Sequence, residues 1–581
     1  MNTLNAIYTE KARCQDCYRC VRNCPVKAIK IEQGVASVVE ELCIHCGKCV
    51  NSCPAQAKKV RDDLHILREL FDRKEKVIAS LAPSYVSEFS NIGSSSLIAA
   101  LKSAGFYGVS ETALGAQEVS AHAAALLEQG KGNEWYISSA CPAVVNYIRK
   151  YHPALSSRLT PLLSPLLAHC RMLREKFPDA RIVFFGPCIA KKDESAAHAD
   201  ILDAALTFED MRTLLAEKKV NMEALDTSNE TFIPQSAQEG ALYPVDGGMI
   251  AGIKMNCTVT DNCAMHFSGM DEIVPLIASL ESGNVTKPLF LELLACAGGC
   301  VNGPLSAAAT GTLMKRLAII EKAPSPQTAT PRHPTLNITE GFALEQIGTF
   351  RFSDGDIEAV LRETGKYEKK DELNCGGCGY GNCREFAQAV LEKKAEIAMC
   401  VTYMRRLALK KANKLIMSMP SGVVIVDKDL KIIECNARFA KLAGEDAVSI
   451  NERIPGMQGA VLEKVLPVSS LFRHVLDTGE DITGKDITVR NRIMHCTVFS
   501  IEPRSITGGI FNDITAPELK KDEIIKRAQT VIRNNLTTVQ KIAYLLGENA
   551  SETEMVLSTI IASFKPDDPG QSHDVDKRFK P

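Results

Sequence analysis

The chain has 581 residues, 45% of them hydrophobic and 24% charged, with a formal net charge of -2. At roughly 150 residues per domain this predicts about four packed cores, and the near-neutral balance excludes a nucleic-acid polycation. Met1 to Arg13 holds no apolar signal core, and no later stretch runs about eighteen apolar residues without a charge, so a cytoplasmic, non-membrane protein is expected.

The unusual count is 21 cysteines, most in tight groups whose loops are too short for ordinary disulfide frameworks. A reducing cytosol favours thiolate ligation, so metal is the default reading and cysteine spacing the main clue. Cys14, Cys17, Cys20 and Cys24-Pro25 recur as Cys43, Cys46, Cys49 and Cys53-Pro54, each displaced by 29 residues, which is an internal duplication. The run C-x2-C-x2-C-x3-C-P resembles the two-cluster bacterial ferredoxins, in which three close thiolates hold one cubane and the fourth reaches the other. That resemblance implies one 4Fe-4S cluster on Cys14, Cys17, Cys20 and Cys53 and a second on Cys43, Cys46, Cys49 and Cys24, within a module at 1–60. Zinc is the competing occupant, since C-x2-C pairs also build tetrahedral zinc sites. His45, inside the second run, is expected to face solvent, because four thiolates already complete the cubane.

From Val77 the pattern changes to strand-length apolar runs alternating with longer amphipathic stretches, as in an α/β domain. Val77 to Leu81 leads to Pro83-Ser84, Glu134 to Ile137 to Cys141, Arg181 to Phe185 to Cys188, and Leu289 to Leu294 to Cys296 and Cys300. Ligands of open α/β sheets bind beyond the carboxyl ends of strands, so the three cysteine loops are placed to converge. Four thiolates suit one cubane; zinc and unligated core cysteines are the alternatives.

Ser139-Ala140-Cys141-Pro142, Pro187-Cys188-Ile189-Ala190-Lys191-Lys192-Asp193-Glu194 and Glu292-Leu293-Leu294-Ala295-Cys296-Ala297-Gly298-Gly299-Cys300 resemble, in order and spacing, the three signatures of the diiron (FeFe) hydrogenases, a likeness spanning roughly Val77 to Ile319. The resemblance implies that Cys141, Cys188, Cys296 and Cys300 hold the cubane of an H-cluster. Cys300 would bridge to a diiron unit with CO, cyanide and azadithiolate ligands. Lys191 and the Pro83-Ser84 loop match the family's donors to the two cyanides, and an ammonium suits an anionic acceptor. An exposed surface lysine is the alternative for Lys191, and neighbouring Lys192 can be an ordinary solvated charge. Glu194 and Glu292 match family acids, with structural salt bridges as the alternative.

The match fails at Ala140, where prototypical members begin the proton path with a cysteine; a methyl group carries no proton, so slow turnover is expected. Two family methionines are replaced by Gly186 and Leu294. Cys170, Glu118, Cys257 and Cys263 are candidates for a substitute relay, with inert burial as the alternative for the thiols. These departures resemble the divergent sensory hydrogenases.

Pro324, Pro326, Pro331 and Pro334 lie among Ser and Thr and mark a linker, taken as 323–349 after a hydrogenase-like domain at 75–322. Cys375, Cys378, Cys383 and Cys400 follow a C-x2-C-x4-C-x16-C pattern that resembles a small Fe-S domain, 350–405, with a zinc knuckle as the alternative and Arg384 to Met399 expected as one helix. Strand, turn and strand from Gly422 to Ile433, a helix opened by Asn436 and late strands at 487–489, 494–500 and 508–511 resemble a PAS domain at 407–515. Cys435 and Cys496 are expected in its core. A seven-residue spacing of Ile525, Ile532, Val539 and Leu546 predicts a helical contact segment, 518–565, serving a homodimer or packing on the PAS domain, before a disordered tail at 566–581.

The fold class is thus multidomain α/β and α+β. No dinucleotide or P-loop fingerprint and no kinase set is present. The leading reading is a sensory iron-only hydrogenase of low turnover. Its cofactors would be three 4Fe-4S clusters and the H-cluster, with a PAS ligand unknown. Its partners would be H2 and protons, a ferredoxin-like electron carrier, maturation factors and a downstream signalling protein. The alternative is a non-enzymatic iron-sulfur redox sensor or scaffold lacking the diiron unit.

Overall fold

The computed structural model describes residues 5–514, apart from 130–133, 258–262, 284, 286, 308–310, 324–331, 346, 349 and 490–491, and some positions within 530–539. The expected contact segment and tail lie largely outside the described residues. Two units divide the chain, Met1–Val401 and Thr402–Pro581. Among the described residues no helix is long and apolar enough to cross a membrane.

The first unit opens with the cysteine duplication. Strand β1 (Ile7–Thr9), the hairpin of β2 (Ile29–Glu32) and β3 (Val35–Val38), and β4 (Lys58–Val60) frame it, with β1 antiparallel to β4. Gln33 and Gly34 both take positive φ, as the two-residue hairpin turn requires. The duplication is also physical. The Ala28 amide donates to Cys24 Sγ and the Ala57 amide to Cys53 Sγ, each at 3.2 Å, displaced by the same 29 residues as the cysteines.

Seven parallel strands follow: β5 (Lys76–Leu81), β6 (Gly108–Glu111), β7 (Trp135–Ile137), β8 (Ala180–Phe185), β9 (Ala204–Leu206), β10 (Ala264–Ser268) and β11 (Leu289–Leu294). They form two sheets, ordered β6-β5-β8-β9 and β10-β11-β7. Helices cover both faces of the first sheet, which is why β5 and β8 read as near-continuous apolar runs instead of alternating ones. The cysteine loops all leave carboxyl ends, but of two sheets. Cys188 follows β8 of one, and Cys141 and Cys296 follow β7 and β11 of the other.

The described part of the Pro-rich segment has no helix, as its composition dictates, yet it is bound to the α/β core. Ile338 is fully buried, its carbonyl accepts from the Leu163 amide at 2.8 Å, and Glu118 accepts from the Leu336 amide at 2.8 Å. Next, Ser353 caps the helix Asp354–Glu363 reciprocally with Asp356, and Ile357, Val360 and Leu361 pack on Ala387 of the helix Cys383–Leu391. The single helix expected from Arg384 to Met399 is corrected here. It stops at Leu391, Lys393 turns through φ 58°, and a short 3-10 turn, Ile397–Met399, delivers Cys400.

In the second unit β12 (Gly422–Asp427), β13 (Ile432–Cys435), β14 (Ile482–Val489), β15 (Arg492–Glu502) and β16 (Ile506–Asp513) form one antiparallel sheet, ordered β13-β12-β16-β15-β14. Asn436 starts its first helix because its Oδ1 accepts from the Phe439 and Val423 amides, tying helix to strand. Phe439, Phe472 and Phe511 fill the inner face, with ring centroids 5.6 and 6.3 Å apart, and Cys435 and Cys496 are fully buried among them.

Candidate metal centre

Cys141, Cys188, Cys296 and Cys300 line one cavity of about 110 Å³, together with Pro83, Ser84, Ala140, Lys191 and Leu294. The local sequence builds each corner. Cys141 is the extended residue before a helix with Pro142 at its first position, and Cys188 stands just ahead of the helix Ala190–Ala197. Gly298 and Gly299 carry φ of 78° and 95°, and a Cβ on Gly299 would lie 2.3 Å from the Pro244 carbonyl, so only glycine lets this loop close on the cavity.

The donor set suits an anionic cofactor. Burial pushes the Cys188 thiol up to about 11 and that of Cys296 well above its ordinary value, and neighbouring thiolates push each further. Such thiols stay protonated unless a metal cation is placed among them. Ser84 Oγ is buried and, among the described residues, has no hydrogen-bond partner, although it lines the cavity. The Lys191 ammonium donates to Ser164 Oγ at 2.9 Å and Glu194 Oε2 at 2.6 Å, so two of its three protons are held.

The departures from the family pattern have a common geometry. Ala140 and Leu294 form wall, and a Cβ on Gly186 would lie 2.4 Å from the ring of Phe184, which takes that part of the lining itself. Cys170 is fully buried on the helix Pro165–Lys176 but does not line the cavity, and burial raises its pKa so that it keeps its proton. Glu118 instead anchors Thr335 and Leu336. Cys257 closes a helix by donating to the Ile253 carbonyl, and Cys263 is half-buried near it in sequence. Glu292 accepts from the Gly247 and Ile250 amides; burial raises it and those bonds only partly offset this, leaving it at about 7.

Two expectations are corrected. His45 is 3% exposed instead of facing solvent. Its Nε2 lies 2.8 Å from Glu40 and its Nδ1 3.4 Å from Asp193; burial works against the imidazolium, but the two carboxylates outweigh it and raise it to about 9. Lys192 is 1% exposed, with its ammonium 3.0 Å from Asp63 and 3.0 Å from the Ala205 carbonyl. In each case the partners that bury the charge lie outside the residue's own motif. Sequence reading also missed His169, held between Ser80 Oγ at 2.9 Å and Ser110 Oγ at 2.8 Å, with Ser80 bonded to cavity-lining Thr112. Burial lowers its pKa to about 3, so it is neutral. Nothing in the local pattern marks it.

The ferredoxin-type cysteines adjoin this cavity, since Cys46 and His45 also line it. Burial raises the Cys43 and Cys46 thiols to about 12. On the far side of the module, Arg22 donates to the Cys17 carbonyl at 3.0 Å and the Gly377 carbonyl at 3.3 Å, and the Ile31 amide to the Lys394 carbonyl at 2.8 Å. The Cys375 to Cys400 domain therefore docks on the duplication.

Residues 75–304 match the family described as iron only hydrogenase large subunit, C-terminal domain, with a 4Fe-4S dicluster domain at 13–57, an Fe-S cluster family at 371–402 and a PAS domain at 413–485. The chain is a divergent FeFe-hydrogenase-like protein. Its iron-sulfur and PAS domains make the expected multidomain architecture, and iron-sulfur cofactors follow from those families. Among solved structures it is similar to a variant of the FeFe-hydrogenase HydA1 from Chlamydomonas reinhardtii, at 16% identity over 46% of this chain and 91% of that one, with a TM-score of 0.36. A domain of an HTR-like protein from Haloarcula marismortui matches over 17% of this FeFe-hydrogenase-like chain and 100% of its own, at 18% identity and a TM-score of 0.14. Comparison with curated proteins gives no match.

Proposed function

We propose that the chain is a sensory iron-only hydrogenase of low turnover, which oxidises H2 reversibly and reports its redox state through the PAS domain. The observation that supports this best is the cavity itself: four convergent cysteines, an unpartnered Ser84 hydroxyl and the Lys191 ammonium, with Ala140 where a relay cysteine would stand. Cys141, Cys188, Cys296 and Cys300 would hold the H-cluster. When bound, that group would supply Lewis-acidic iron for H2 and a basic amine for a proton.

The chain's own residues do the rest. Ser84 and Lys191 each have a proton to offer an anionic ligand, which orients the group and stabilises its charge. Pro83, Phe184 and Leu294 exclude water. Ala140 gives the proton no acceptor, so the departing proton waits for a slower route. Cys14, Cys17, Cys20 and Cys53, Cys43, Cys46, Cys49 and Cys24, and Cys375, Cys378, Cys383 and Cys400 would hold three further 4Fe-4S clusters, leading electrons to a ferredoxin-like carrier. Maturation factors and a downstream signalling protein complete the partners.

Full loading corresponds to about 18 iron atoms per chain. The test is infrared spectroscopy of anaerobically matured protein with H2 uptake measured on the same sample. Metal CO and cyanide bands that respond to H2 are expected. Full occupancy of the ordinary cubanes without such bands would make the chain a redox scaffold instead.

A further inference from the structure

Lys366 is 6% exposed, and its ammonium donates to Thr364 Oγ1 at 3.0 Å and to Cys400 Sγ at 3.2 Å. A buried ammonium requires negative charge close by. Among the described residues no carboxylate comes within ion-pair distance of it, and neither a hydroxyl nor a neutral thiol supplies that charge. Four thiolates around an iron cubane do, with Cys400 the contact. The thiolates of the duplication are served differently: Cys24, Cys43 and Cys53 accept from backbone amides, which are neutral donors. Lys58, buried in the same module, acts on the Cys20 and Cys49 thiolates through space, but its ammonium is hydrogen-bonded to Thr9 Oγ1 and the Ala36 carbonyl and, among the described residues, to no sulfur.

We infer that Lys366 is a positioning residue that raises the reduction potential of the Cys375 to Cys400 centre above those of the two cubanes it docks against, making that centre the terminal electron store of the chain. The inference rests on the cluster assignments proposed above. An added electron makes a cubane more negative, so a cation hydrogen-bonded to one of its sulfurs stabilises the reduced form more than the oxidised form. Each H2 oxidised yields two protons and two electrons. One electron takes this centre from its 2+ to its 1+ core; the second passes to a cubane of the duplication or to the external carrier. Arg22, bridging the Cys17 and Gly377 carbonyls, fixes the approach of the two modules.

The experiment is an EPR-monitored redox titration of the full-length, anaerobically loaded protein, with the signal of this centre identified by its change in Cys375→Ser. In the native chain that signal is expected to appear at a higher potential than the others. Lys366→Met should move it downward and leave the others in place, while Lys366→Arg keeps it near the native value. An unmoved midpoint in Lys366→Met with full iron content would overturn the inference. Iron that does not fall by about four atoms in a Cys375→Ser/Cys378→Ser chain would instead defeat the cluster assignment itself. Should Lys366→Met fail to load, native protein carrying 15N-lysine answers the same question: hyperfine coupling of one side-chain nitrogen to the reduced centre is expected, and its absence overturns the proposal.

Discussion

Ala140 concentrates the chemistry in one methyl group. A positioned acid or base contributes on the order of 10² to 10⁴ in rate, so Ala140→Cys is expected to raise H2 turnover by at least roughly tenfold, measured on samples matched by infrared loading. An unchanged rate would place the limiting step elsewhere. Cys170→Ala should leave turnover near native, because that thiol is outside the cavity wall and holds its proton. A large loss with an intact cofactor would make it a relay. Glu292 ties stability to pH. Its folded value of about 7 lies above the ordinary carboxylate value of 4.5, so its favourable contribution is complete below pH 4.5 and is lost as pH rises through 7. Glu292→Gln sets an amide against a backbone donor and lowers stability overall, yet anaerobic denaturation should show a flatter decline between those limits.

At the scale of elements, β5, β7, β8 and β11, which lead into the Pro83 and cysteine loops, were legible because buried parallel strands are apolar runs, whereas β6, β9 and β10 were not. The position of Asn436 as a helix start was legible for the same kind of local reason. What resisted reading was set by distant partners: His45 by Asp193, Lys192 by Asp63, and the early stop of the 383–391 helix by the return to Cys400. The Lys192 to Asp63 pair binds the helix after Cys188 to the connector that follows the duplication. Lys192→Met removes the donor to Asp63 Oδ2 and to the Ala205 carbonyl while Arg61 still holds Asp63 Oδ1 at 2.7 Å, so it should cost about 1 to 3 kcal/mol, read by denaturant melts. Gly299→Ala, at φ 95° and against the Pro244 carbonyl, should lower iron by up to about six atoms per chain at the proposed H-cluster site, read by metal analysis.

For the whole molecule, separation into two units gives a direct test of signalling. Deleting 407–581 should preserve iron content and H2 chemistry while abolishing the response of a regulatory partner; loss of the H2 chemistry itself would tie the second unit to catalysis. The buried position of Ile338 reaches further than packing. The α/β core includes a residue that lies 38 positions beyond Cys300, so the last of the four cavity cysteines leaves the ribosome before the core that receives it is complete. During synthesis the nascent chain therefore passes through an interval in which all four cavity cysteines are outside the exit tunnel and the domain is still open. Insertion of the proposed cluster is expected to find its easiest access in that interval, and a chain cut at 304 would lack this part of the core.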